Sequence, residues 1–161
     1  MQIIRDGKIV HDDWRHLAND EPLPAGKATI SLTRWLAEKA ALQSASSELG
    51  LRLRGEDSID AIVDDLKSFG LIVIEFPTMT DGRGFSLARL LRERYGYTGE
   101  IRARGDFIRD QMFFLSRVGV NAFECHAGQD LETFLPALSE YTVTYQAAAD
   151  PEQSHYRRRG D

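Results

Sequence analysis

The sequence holds a single cysteine, Cys125. One thiol excludes an internal disulfide, a zinc site built from Cys pairs and a four-Cys iron–sulfur cluster. No apolar run approaches the roughly 20 residues that cross a bilayer. The start, MQIIRDGKIVHDDW, carries no apolar stretch behind a basic patch, so it does not read as a secretory signal. A net positive charge is also lacking: 20 Lys and Arg against 25 Asp and Glu give a formal net charge of −5. General nucleic-acid or membrane-surface binding needs a basic field and is disfavoured. These absences lead to the expectation of a reduced, cytoplasmic, soluble protein. At 161 residues, with 42% hydrophobic and 28% charged positions, it is long enough for one domain with a sizeable core.

What is present is a rhythm. Residues 2–10, QIIRDGKIV, read as a hairpin turning at Asp6-Gly7. A polar linker with Pro22 and Pro24 leads to ATISL, and Ser31 is placed to cap a helix with Leu32, Trp35, Leu36 and Lys39 on one face. GLRLR (50–54) is a short strand. The helix after EDS carries Ile59, Ile62, Val63, Leu66 and Phe69 and ends at Gly70. LIVIEFP (71–77) is the clearest strand. A helix with Leu87, Leu90, Leu91 and Tyr95 on one face stops at Gly96. GEIRARG (99–105) and NAFECHAG (121–128) are strands around the helix FIRDQMFFLSRVG, and DLETFLPALSEY is a short helix broken near Pro136. YTVTYQ (141–146) has strand composition. The fold class expected is α/β: a mostly parallel sheet of about five βα-linked strands, open or half-barrel-like, with an N-terminal β-hairpin. The expected organisation is one domain over 1–148, with the hairpin in 1–14, the βα core in 27–146, and a polar, mobile tail at 149–161.

A parallel sheet covered on both faces shows nearly continuous apolar strands. Here most strands alternate instead. With a period of two, Arg52, Arg54, Glu75, Glu100, Arg102, Arg104, Glu124 and His126 fall on one face. Buried charges must pair or they cost several kcal/mol each. The face is therefore wet, internally ion-paired, or a surface for a ligand or partner. An inward polar face suits a curled sheet, and two chains could complete such an enclosure as a homodimer.

Residues 81–117 hold eight arginines, five acids and no lysine. Arginine without lysine suits planar recognition of carboxylate, phosphate or sulfur oxyanions. Asp81-Gly82-Arg83-Gly84 lies between a strand end and a helix start, where amides favour anions. It is neither GxGxxG nor a P-loop. An ordinary βα turn explains it equally: Asp81 accepts amides, the glycines take positive φ, and Ser86 caps the helix. Arg92 and Arg94 fit the C-terminal surface of that helix. Arg104-Gly105-Asp106 repeats the pattern one unit later, with Asp106 as a cap and Asp110 and Gln111 one turn on. The candidate ligand-binding set is Asp81, Gly82, Arg83, Gly84, Ser86, Arg102, Arg104, Gly105, Asp106, Asp110 and Gln111. Asp81, Asp106 and Glu75 are the candidates for proton transfer. Cys125 reads as core. His126, near a strand end, has no partner adjacent in sequence. The histidines do not cluster with acids at metal spacing, and no cofactor fingerprint is visible.

The stretch EFPTMTDGRGFSLARLLRERYGYTGEIRARGDFIRDQ resembles a bacterial family, domain of unknown function family nine-three-four. The shared motifs are F-P-x-x-x-D-G-R-G-[FY]-S, L-L-R-x-R-x-G-Y-x-G-E, R-A-x-G-D and D-Q. The likeness extends to Asp12-Asp13-Trp14 and to Tyr145-Gln146; Met79 stands where an aromatic residue is usual. Members carry the label probable oxidoreductase, and their genes commonly sit beside those for the sulfite/nitrite reductase haemoprotein and sulfate assimilation. The resemblance implies an accessory role in assimilatory sulfite reduction, with that haemoprotein or another sulfur-assimilation protein as partner. An enzyme acting on a small anion, with Arg83, Arg102 and Arg104 as clamps, is the alternative. Its redox chemistry would need a borrowed cofactor.

Overall fold

In the computed structural model, residues 1–44, 48–78 and 80–139 are described. The expected strand at 141–146, the tail and Met79 lie outside them. Eight strands form one sheet: β1 (Gln2–Arg5), β2 (Lys8–His11), β3 (Arg15–His16), β4 (Ala28–Ser31), β5 (Leu49–Arg54), β6 (Leu71–Phe76), β7 (Glu100–Gly105) and β8 (Ala122–Glu124). Their order is β2-β1-β8-β7-β6-β5-β4-β3. From β3 to β8 all neighbours are parallel, and β1 closes onto β8 and β2 antiparallel. The helices are α1 (Leu32–Gln43), α2 (Arg83–Glu93), α3 (Arg109–Arg117) and α4 (Leu131–Phe134), with 3₁₀ stretches at Ile59–Ser68 and Leu135–Ser139.

The hairpin turns at Asp6 and Gly7 (φ 50° and 71°), the positive pair that a two-residue turn needs. Ser31 caps α1 by accepting the Arg34 N–H at 3.1 Å. The segment read as a helix after EDS is a 3₁₀ run capped by Ser58. Two expectations about the polar stretches are corrected. The linker contains β3, which pairs His16 with Thr29 and, among the described residues, adds an eighth strand to the expected hairpin and five βα-linked strands. The last strand stops at Glu124, so Cys125 and His126 follow it rather than lie in it. Leu36, expected on the buried face of α1, is 51% exposed.

The curl of the sheet follows from one short connection. Strands β2 and β3 are the two edges, yet only Asp12, Asp13 and Trp14 separate them. Seven strand spacings in a flat sheet would put the edges about 34 Å apart. Four Cα steps, His11 to Arg15, span at most about 15 Å. The sheet must therefore bend into a half-barrel, with residues 12–14 strapping its open side. His16 shows the result: its Nε2 lies 2.8 Å from Glu124 on β8.

Period two then divides the sheet. Ile30, Leu51, Leu53, Ile72, Ile74, Ile101, Ala103 and Phe123 join the helices in the hydrophobic core. Trp35 of α1, Leu66 of the 3₁₀ run, Leu91 of α2 and Leu115 of α3 meet them there, all nearly inaccessible. The opposite, concave face carries the charges.

Candidate functional site

Strand register arranges the concave face in rows. The row nearest the carboxyl ends reads Arg54–Glu75–Arg104–Glu124, alternating in sign across four adjacent strands. The middle row reads Arg52–Val73–Arg102–Ala122–Arg5. The third reads His16–Thr29–Gly50–Leu71–Glu100. Opposite charges directly across neighbouring strands stabilise pairing.

Arg102 is the buried hub, with no solvent exposure. Its Nη1 and Nη2 each donate to Asp12 at 2.9 Å, a bidentate fork. Nε donates to Glu100 at 2.9 Å, and Nη1 also approaches Glu124 at 3.4 Å. Burial alone would lower the pKa of the guanidinium, but Asp12 and Glu100 outweigh that and raise it. Glu124 is disfavoured as an anion by burial. Hydrogen bonds and charge from His16 and Arg104 overcome this and hold its carboxyl at about 2. Asp12 thus ties the strap to the middle of the sheet.

Toward the carboxyl ends the stoichiometry reverses. Arg52, Arg54 and Arg104 all converge on Glu75, at 3.4, 3.5 and 3.3 Å. Arg52 spends its other nitrogens on the carbonyls of Thr29 and Leu17 and on the Thr29 hydroxyl. Burial and the neighbouring Arg104 and Arg54 lower its pKa, against the pull of Glu75. Two connected clefts open above this group. One, about 600 Å³, is lined by Arg54, Glu56, Glu75, Phe76, Pro77, Arg104, Gly105, Asp106 and His126. The other, about 430 Å³, shares Arg54, Glu56 and Glu75 and extends to Ser31 and Asn19.

The two βα turns have different local reasons. In the first, the Asp81 carboxylate accepts the Arg83 backbone N–H at 3.1 Å and the Arg83 Nε and Nη2 at 2.9 Å each. These bonds hold the Asp81 carboxyl below the usual range. The helix begins at Arg83 with no side-chain cap, so Ser86 lies inside it and is not the cap expected. Gly82 has φ −73° and Gly84 is not in the positive region either, correcting the expected strain. Gly84 is required by contact: a Cβ there would sit 2.6 Å from the Phe76 ring. In the second turn Gly105 has φ 115°, and a Cβ would strike the Phe76 carbonyl. The Asp106 N–H donates to that carbonyl at 2.8 Å. Helix α3 starts only at Arg109, where the Gln111 side chain accepts the Ile108 N–H at 3.1 Å; Asp106 is therefore not its cap.

Of the residues singled out in the sequence, Glu75, Arg104, Gly105 and Asp106 come together in the larger cleft, joined by His126. Arg102 is sealed beneath it. Asp81 and Arg83 satisfy each other beside the cleft and touch it through Glu56, 3.5 Å from Arg83. Ser86 and Asp110 are exposed on their helices. Arg92 corrects the surface reading: it is half-buried and donates to the carbonyls of Tyr97, Gly99 and Gly119 at 2.6–3.0 Å. It clasps α2 to the loops around β7. Cys125 packs partly against the core, and burial, aided by Glu124, pushes its thiol up to about 11. Asp12, His16 and Thr29 belong to the charged face and were not legible as such. Arg54 was on the expected face but outside the expected site.

Among the described residues no group of three His, Cys, Asp or Glu side chains is placed to hold a metal ion. No helix among them is long and apolar enough to cross a membrane.

Fold and site together define an α/β protein with a curled half-barrel sheet whose charges face inward and emerge at the carboxyl ends of the strands. The chain belongs to a family of bacterial proteins of unknown function, DUF934, whose family model matches residues 50–156. Neither the curated proteins nor the solved structures yield a significant match.

Proposed function

We propose that this protein is an accessory binding protein of assimilatory sulfite reduction, working in the cytoplasm, and that the arginine-bearing mouth of the half-barrel holds an anion or docks a reductase partner such as the sulfite/nitrite reductase haemoprotein. The observation that carries the reading is the distribution of pairing. Carboxylates inside the barrel are committed to arginines, while the arginines at the mouth reach solvent: Arg54 is 63% and Arg104 39% exposed at the side chain, beside the exposed Glu56 and Asp106 on the rim. Exposed arginines of one sign steer and orient an anionic surface or small anion. The pathway is drawn from the family resemblance in the DGRG, RGD and DDW motifs.

A second reading, an enzyme acting on a small anion, has one observation in its favour. Asp106 and His126 line the same cleft as Arg104, which would place an acid, an imidazole and an anion clamp together. The test is capture of purified haemoprotein by the full chain, wild type against Arg54→Glu. Capture that fails with the variant, with no turnover by the isolated chain, supports docking. Turnover of a metabolite by the isolated chain contradicts it and favours the enzyme.

A further inference from the structure

The concave face carries five arginines, Arg5, Arg52, Arg54, Arg102 and Arg104, against four carboxylates, Asp12, Glu75, Glu100 and Glu124, unevenly distributed. Arg102 alone faces three carboxylates: Asp12, Glu100 and Glu124. At the mouth three arginines share the single carboxylate of Glu75. Glu124 is spent on Arg102 and His16 as well as on Arg104. On the strands themselves the mouth therefore carries more guanidinium than carboxylate, with Glu56 and Asp106 lining the same cleft from its rim.

The unused donors point the same way. Among the described residues, Arg54 makes only a 3.5 Å Nε contact with Glu75 from its guanidinium, leaving both terminal nitrogens without a partner. Arg104 uses Nε on Glu124 and Nη1 on Glu75, leaving Nη2. Both guanidiniums are anchored on opposite oxygens of the same carboxylate, so their free edges border the same 600 Å³ space. Among the described residues the nearby acids are not paired with these donors: Asp57 accepts the Arg54 backbone N–H at 2.7 Å, Glu56 lies toward Arg83, and Asp106 lines the cleft without an ion pair to either arginine.

We infer that the mouth between Arg54 and Arg104, above Glu75, is a binding site for a small oxyanion of the sulfate or phosphate type. Two guanidinium edges supply convergent charge-assisted donors, and Glu75 holds them in place. A carboxylate beneath the site lowers affinity and makes the bound anion readily released. The inference rests on the mouth being the binding surface proposed above, and names what that surface takes.

The test is calorimetric titration of the full-length chain with sodium sulfate and with inorganic phosphate, at ionic strength held constant by sodium chloride. The expected result is saturable binding with a dissociation constant on the order of 1 mM or tighter. Arg54→Gln should weaken it about tenfold. Glu75→Gln should tighten it at least about threefold, because the guanidiniums lose their only shared counter-ion. Arg89→Gln, which removes an exposed pair with Glu93 on α2, should leave it unchanged. Thermal melts confirm that each variant is folded. No saturable binding in either wild type or Glu75→Gln, or equal binding in Arg54→Gln, overturns the site. Saturable sulfate binding by a chain that captures no haemoprotein sustains the site and removes only the pathway reading.

Discussion

The two ends of the concave face are built from the same residue types and behave oppositely. Around Arg102, one guanidinium is enclosed by three carboxylates and sealed by the strap. Around Glu75, one carboxylate is surrounded by three guanidiniums and open to solvent. The first arrangement leaves no donor free and fixes the curl of the sheet. The second leaves donors facing a cleft. The difference teaches that an arginine-rich face is informative only once its carboxylates are counted strand by strand.

The comparison is broken most severely at Arg102. Arg102→Ala leaves Asp12, Glu100 and Glu124 buried without their common partner. It should cost about 3–5 kcal/mol, enough to prevent accumulation of folded chain, read by urea unfolding or soluble yield. Asp12→Asn removes the bidentate charge but keeps the shape, so a loss of about 2–3 kcal/mol is expected. A double-mutant cycle with Arg102→Met should then give strong coupling. A cost for Asp12→Asn below about 0.5 kcal/mol would show that the strap is not anchored there. Arg92→Ala opens the clasp over Tyr97, Gly99 and Gly119 and should cost roughly 2 kcal/mol, whereas Arg89→Ala on the same helix should stay within about 0.5 kcal/mol.

Acid sharpens the same contrast. The Glu124 carboxyl lies at about 2 in the folded chain, against 4.5 for a free side chain. The unfolded chain therefore takes up the proton first, and stability rises with pH through this window. The contribution is complete above about pH 4.5 and drains as pH falls toward 2. Glu124→Gln should flatten that part of the stability–pH curve; an unchanged slope would remove Glu124 as its source. The smallest stability effect belongs to the mouth: Arg54→Gln should shift the unfolding free energy by no more than about 0.5 kcal/mol while changing anion binding.

Much of this frame was legible in the residues. Alternation in GLRLR and GEIRARG identified the charged face, and helix spacing placed Leu66, Leu87 and Leu91 toward the core. The strap was not legible, because Asp12 meets Arg102 across 90 positions and His16 meets Glu124 across 108. No local period reports a contact of that range. β3 is two residues long and lies in a segment with linker composition. The DGRG stretch looked like the site because arginine and glycine coincide there. Yet Asp81 occupies Arg83, and Gly84 is spent on packing against Phe76. Arg54 was placed on the charged face but not in the candidate site, because it closes a short strand apart from the arginine-rich stretch at 81–117.

The claim that the hub seals while the mouth binds is tested most directly by following the arginine Nε–H resonances of the full chain by NMR during a sulfate titration. The account predicts that the Arg54 and Arg104 signals shift saturably together while the Arg102 signal stays fixed and protected from exchange. Saturable movement of Arg102, or a titration that leaves Arg54 and Arg104 unmoved, would contradict it.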